Sequence, residues 1–183
     1  MIYAKDVVEC VIPQADMEKV VEHARAACIG GRSNIRTVNE RKNQLLEDQL
    51  VGQIATYCGS VVLTGSPDGW SKARDVANAN PYRGDGGVDI VGLDKVDIKG
   101  SLMRKSRDPL DYRLLVRPTE RHVGWIYVLG LVPKSRPYRT HLVGWAYDDD
   151  LPKTPNSRGA FKGAHVVKAR NLRRISDLQR QPR

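Results

Sequence analysis

Apolar positions along the first third of the chain recur at helical spacing. Met17, Val20, Val21, Ala24 and Cys28 share one face, which predicts an amphipathic helix over 14–28. Gly30 and Gly31 stop it, and a polar connection over 32–39 follows. A second helix is predicted over about 38–58, because Glu47, Val51, Ile54 and Cys58 fall on one face. The run SVVLTG (60–65) reads as a short strand, Ser66 to Gly69 as a turn, and 70–80 as a short helix.

Alternation then takes over. PYRGDGG (81–87) is a Gly-rich loop, and VDIVG (88–92) and KVDIKG (95–100) read as two strands. Leu93 and Asp94 between them predict a tight hairpin. A basic loop broken by Pro109 leads to three β-rich segments, 112–118, 123–133 and 138–147, the last two joined by a turn from Pro133 to Pro137. A polar loop from Asp148 to about residue 163 precedes a last strand over 164–169 and a basic tail. The order predicts a mixed α+β domain, a central mixed β-sheet flanked by helices. At 183 residues the chain is expected to form one domain. Within it, 1–35 is an N-terminal helical segment, 36–147 a core, and 148–183 a basic C-terminal strand and tail.

Charge changes the picture. The net charge is +9, but residues 1–100 carry 12 Lys and Arg against 14 Asp and Glu, a net of −2. Residues 101–183 carry 18 against 7, a net of +11. A basic half suits a polyanion, and nucleic acid is the polyanion expected. No apolar run is long enough to span a membrane, and the N-terminus lacks a signal-peptide pattern. Cys10, Cys28 and Cys58 are odd in number and without CxxC spacing, so reduced thiols in a cytoplasmic protein are expected.

The candidate chemistry lies in GDGGVDIVGLDKVDIKGS (84–101). Asp97 and Lys99 are two apart on a strand and leave the same face. A hairpin would bring Asp89 alongside. Two carboxylates and an ammonium then converge, the set that hydrolysis of a phosphodiester asks for. The carboxylates hold Mg²⁺ through oxygen, the ion activates a bound water, and the lysine positions or deprotonates that water and neutralises the phosphate. Val96 and Ile98 alternate with Asp97 and Lys99, so an exposed strand with an ion pair is the plain alternative for these residues. Glu47, in an otherwise apolar helical stripe, calls for a partner and is the candidate fourth member. Glu40 on the same face is the reserve, and Gln53 a minor candidate.

A helix acid, then Asp, then Asp-x-Lys on consecutive strands resembles the PD-(D/E)XK nuclease superfamily, over about residues 40–101. Val88 stands where that motif often has Pro. The resemblance implies a Mg²⁺-dependent DNA endonuclease (Mn²⁺ substituting) in which Glu47, Asp89 and Asp97 ligate the metal with the backbone carbonyl of Ile98. Lys99 assists the water. It also implies a homodimer where both strands are cut, and relatives in phages and mobile elements. Arg104, Lys105 and Arg107 just past the motif, and Lys168, Arg170, Arg173 and Arg174 in the tail, are the candidate phosphate contacts. Ser66, Asn78, Asn80 and Tyr82 are candidates to line the groove. The alternative is a nucleic-acid-binding module on the same fold without chemistry.

Other motifs fall short. Gly84-x-Gly86 lacks the GK[ST] of a phosphate loop, and no GxSxG elbow occurs. His23, His122, His141 and His165 stand singly, without metal-ligand spacing.

Overall fold

The computed structural model describes residues 2–29, 42–79, 88–103 and 107–180. Its elements in chain order are β1 (Val8–Val11), α1 (Gln14–Ile29), α2 (Lys42–Thr64), α3 (Asp68–Ala79), β2 (Val96–Met103), β3 (Arg113–Val116), β4 (Ile126–Pro133), β5 (Arg139–Tyr147), β6 (His165–Lys168) and α4 (Ile175–Gln179), with short 3₁₀ turns between them. Four strands form a mixed sheet in the order β1-β5-β4-β2, and β3 and β6 form a second, two-stranded sheet. The fold is therefore mixed α+β with a central mixed sheet, as the order of predicted elements implied.

The period-2 pattern of the sheet sorts its two faces into two cores. Val96, Ile98, Val128 and Val132 pack with the helices, among Val51, Ile54, Cys58 and Trp70. Met103, Tyr127, Leu129 and Leu131 pack on the other face with Leu114, Val116 and Val167 of the small sheet. The layers are helices, central sheet, small sheet.

Helix α2 is the central helix, buried continuously from Gln53 to Ser60. It sits close to the sheet because Gly100 and Gly130 lie opposite each other in the β2–β4 register. A Cβ on Gly100 would meet the Val51 carbonyl oxygen at 2.9 Å, and one on Gly130 would meet the Ala55 Cβ at 3.0 Å. The predicted strand at 60–65 is instead the last part of α2. Its Val61 and Val62 are half-buried against the helix-side core and Leu63 is buried, and this packing outweighs local propensity. Thr64 Oγ1 donates back to the Ser60 carbonyl (2.8 Å). The helix stops where Gly65 takes φ +82°.

The predicted hairpin over 88–100 is also overturned. Residues 89–92 form bends and a turn, in which Leu93 N–H donates to the Ile90 carbonyl (3.0 Å). Ile90 is fully buried, a plug against Gly69 of α3, and Val91 N–H donates to the Gly69 carbonyl (3.0 Å). Gly92 (φ +90°) and Lys95 (φ +64°) reverse the chain into β2. That strand pairs with β4 in parallel, with Asp97 opposite Tyr127 and Lys99 opposite Leu129.

The β-rich segments at 112–118, 123–133, 138–147 and 164–169 hold as β3 to β6. Strand β1, which the sequence pattern left unassigned, adds to the far edge antiparallel to β5. The three cysteines are free thiols. No helix among the described residues is long and apolar enough to cross a membrane.

Candidate active site

β2 is an edge strand of the central sheet, and its alternation decides what the site contains. Ile98 faces α2, where its side chain lies 3.0 Å from the Cβ position of Gly59. Asp97 and Lys99 therefore face the opposite side, toward the small sheet. Their side chains are 17% and 20% exposed, a largely buried pair that still reaches solvent.

Lys99 Nζ lies 2.8 Å from Asp97 Oδ2 and 3.0 Å from Glu120 Oε2. Glu120 comes from the turn between β3 and β4, which Tyr127 fixes from below. The fully buried Tyr127 hydroxyl donates to the Glu120 carbonyl (3.1 Å) and accepts from His122 N–H (2.6 Å). Arg117 also reaches Glu120, at 3.5 Å.

Asp89 reaches the same place from the turn before β2. Its Oδ2 accepts from Ile98 N–H at 2.7 Å, and its carboxyl is within hydrogen-bonding reach of Asp97. A residue's N–H and C=O leave an extended strand on the same side, so the Ile98 carbonyl also points to the open edge of the sheet. Arg74 of α3 stands 3.9 Å from Asp89 Oδ1 and donates to the Val88 carbonyl (3.3 Å).

The electrostatics are uneven. Burial pushes the Asp97 carboxyl up from its usual range. The Lys99 ammonium and the hydrogen bond from it pull the other way without cancelling burial, and the Glu120 charge adds to the upward push. Lys99 is also raised: burial lowers it, but the two carboxylates on either side outweigh burial and keep it an ammonium. A lysine in that state neutralises a phosphate and orients a water rather than removing a proton.

The sequence-derived candidates separate into three groups. Asp89, Asp97, Lys99 and the Ile98 backbone come together. Glu47 does not join them. It lies on α2, on the other side of the sheet, and pairs with Lys134 just past β4 (3.7 Å). Gln53 is buried, and its Oε1 accepts from Trp70 Nε1 (3.0 Å). Ser66 Oγ accepts from Asp68 N–H (3.1 Å) at the start of α3, and Asn78 bonds to His23 (2.9 Å). Glu40, Asn80, Tyr82, Arg104 and Lys105 lie outside the described residues.

The tail arginines are engaged within the molecule. Arg170 pairs with Asp108 and Asp111 (3.8 and 3.5 Å), and Arg174 with Asp6 (3.5 Å). Arg173 grips Asp150 by two bonds of 2.9 Å and lies over the Trp145 and Tyr147 rings. Arg107 is exposed, as is Lys168 at the end of β6.

Glu120 and Tyr127 were not among the sequence candidates. Glu120 follows a proline in a short turn and carries no periodic signal. Only the pairing of β2 with β4 brings that turn to Lys99.

Among the described residues no group of three or more His, Cys, Asp or Glu side chains gathers closely enough to hold a metal ion. The donor set fits a hydrated, oxygen-seeking cation held by two carboxylates, Asp89 and Asp97, the second in a place where burial disfavours its anionic form. It does not fit a shell completed from α2. No family model, curated protein or solved structure matches the chain.

Proposed function

We propose that the protein is a metal-dependent nuclease of the PD-(D/E)XK type that cleaves DNA by hydrolysis, with its centre at Asp89, Asp97 and Lys99. The observation that carries this reading is the adjacency of the Asp89 and Asp97 carboxyls beside an ammonium held charged, on a strand edge that is open to solvent.

Asp89 and Asp97 would hold Mg²⁺ or Mn²⁺, with the Ile98 carbonyl facing the same edge. The bound ion supplies charge neutralisation and an activated water. Lys99 neutralises a non-bridging phosphate oxygen and orients the attacking water. Glu120 and Asp97 keep Lys99 protonated and aimed, and Tyr127 fixes the Glu120 turn. Glu120 is a partner of the lysine, and the metal-ligand role expected of the helix acid Glu47 has no place in this arrangement. A homodimer follows from the same proposal where both strands are cut. The three free thiols accord with a protein that works in the cytoplasm.

The second reading is a nucleic-acid-binding module without chemistry. The double pairing of Lys99 favours it, because a saturated ion pair can be purely structural.

The test is incubation with supercoiled plasmid in Mg²⁺, in Mn²⁺ and in EDTA, beside Asp97→Ala. Nicking or linearisation that needs metal and disappears in the variant is the expected result. Retardation of the plasmid without cleavage under any metal would turn the assignment to the binding module.

A further inference from the structure

The tail arginines, the sequence's second candidate for phosphate contacts, are each paired with an aspartate. Two other loops present positive charge differently. Residues 117–125 and 152–163 carry five cations, Arg117, Arg121, Lys153, Arg158 and Lys162, against one acid, Glu120, which pairs with Lys99 and Arg117 and leaves the three cations of the second loop without a partner acid in these loops.

The two loops are joined. Arg121 donates to the Asp148 carbonyl (2.9 Å) and to the Pro152 carbonyl (3.3 Å), and Gly124 N–H donates to Asp148 Oδ1 (3.0 Å). The second loop is closed on itself. Asn156 N–H donates to the Ala164 carbonyl and Gly163 N–H to the Asn156 carbonyl, both at 2.8 Å, and His165 Nδ1 lies 2.7 Å from the Pro152 carbonyl. Arg113 stacks over Phe161, 5.1 Å from the ring centre. Lys153, Arg158 and Lys162 are exposed on this loop, with no carboxylate within ion-pair distance among the described residues. Glu120, the partner of Lys99, is followed in the chain by Arg121, whose guanidinium reaches the Pro152 carbonyl at the start of the second loop, so one turn links the candidate site to the basic loop.

We propose that loops 117–125 and 152–163 form the surface that holds the sugar–phosphate backbone of DNA at the Asp97–Lys99 centre, and that the tail arginines pin the C-terminus to the sheet. The proposal rests on the nuclease reading for its substrate. Its own observation is the exposed positive charge of Lys153, Arg158 and Lys162, on a loop that Arg121 ties to the Glu120 turn. Phosphate contacts of this kind position a polynucleotide without reading its sequence. Each one lost lowers the salt dependence of binding by roughly 0.9 in log–log slope.

The test measures anisotropy of a short fluorescein-labelled duplex in EDTA across a salt series, so that binding is read without cleavage. The wild type is compared with Lys153→Ala/Arg158→Ala/Lys162→Ala and with Arg170→Ala/Arg174→Ala. The loop variant is expected to bind on the order of ten-fold or more weakly, with a slope smaller by about 2–3. The tail variant is expected to keep the wild-type slope. A loop variant that binds like the wild type, or a tail variant that accounts for the slope, overturns the proposal and leaves plasmid cleavage untouched. Loop-dependent binding with no cleavage in any metal leaves the surface standing and removes the nuclease reading. No binding by the wild type at low salt overturns the surface itself.

Discussion

Two ion-pair clusters in this molecule use similar groups and behave in opposite ways. At the tail, Arg173 grips Asp150. The Arg173 hydrogen bonds hold the Asp150 carboxyl below the usual carboxylate range, and the Asp150 partner raises Arg173. Each partner favours the charged form of the other, at a half-exposed place. Beside β2, Lys99 touches Asp97, yet burial pushes the Asp97 carboxyl up and the lysine does not bring it back. Lys99 is shared with Glu120, which Arg117 also reaches, and Asp89 lies beside Arg74, so burial rather than a missing cation sets the direction of the Asp97 shift. The tail pair is a clamp. In the β2 cluster burial disfavours the anionic form of Asp97 despite its lysine, a condition that a bound cation relieves, and such perturbed groups concentrate at functional sites.

The largest expected effect separates the clusters by chemistry. Asp97→Asn should lower metal-dependent cleavage by at least about 10²–10³-fold, in line with the loss of a single transition-state contact. Asp150→Asn should leave the rate per folded molecule unchanged. Initial rates on plasmid, corrected for folded fraction by circular dichroism, decide this. Equal losses in both variants would break the comparison.

Stability should move the other way. Because the folded Asp97 pKa lies above its unfolded value, its charge costs stability at neutral pH, and that cost fades as pH falls through the raised pKa toward 3.8. In EDTA, Asp97→Asn should therefore raise Tm at pH 7, and the gain should shrink at acid pH. The folded Asp150 pKa is depressed, so its contribution is present above the unfolded value of 3.8 and is lost as pH falls through the folded one. Asp150→Asn should cost about 1 kcal/mol at pH 7 once solvent screening is allowed for, a Tm drop of about 2–4 °C that vanishes in acid. Thermal melts of the two variants across pH, with the same sign of shift in both, would contradict the distinction.

The smallest effect concerns Glu47. Its side chain and that of Lys134 are 32% and 60% exposed, and such a pair contributes roughly 0–1 kcal/mol. Glu47→Gln should leave cleavage and Mn²⁺ affinity, followed by electron paramagnetic resonance, at wild-type values. A loss of either would return Glu47 to the site.

Legibility in the sequence followed the range of the interactions. Helix α1 and strands β3 to β6 were readable because a face pattern over a few residues specifies them. The last part of α2 was misread because Val61, Val62 and Thr64 have strand propensity, which packing of Val61, Val62 and Leu63 against the core and the local Thr64–Ser60 bond outweigh. The turn at 89–92 was misread for a related reason. VDIVG has strand composition, but Ile90 is spent as a plug under α3. Asp97 and Lys99 were legible because two residues on one strand share a face whatever the topology. Glu47 and Glu120 show the limit. An acid in an apolar helical stripe carries a signal, yet α2 packs on the face that Ile98 and Gly100 occupy. An acid in a turn carries none, yet the parallel β2–β4 pairing delivers Glu120 to Lys99.

The most direct test is a paired measurement on Lys99→Ala with one labelled duplex: affinity in EDTA, then the single-turnover cleavage rate in Mg²⁺. The account predicts an affinity lowered by at most a few-fold, the loss of about one phosphate contact, and a rate lower by about 10²–10³-fold. A Lys99→Ala rate equal to that of the wild type, or a wild type that binds the duplex and shows no metal-dependent rate, would contradict it.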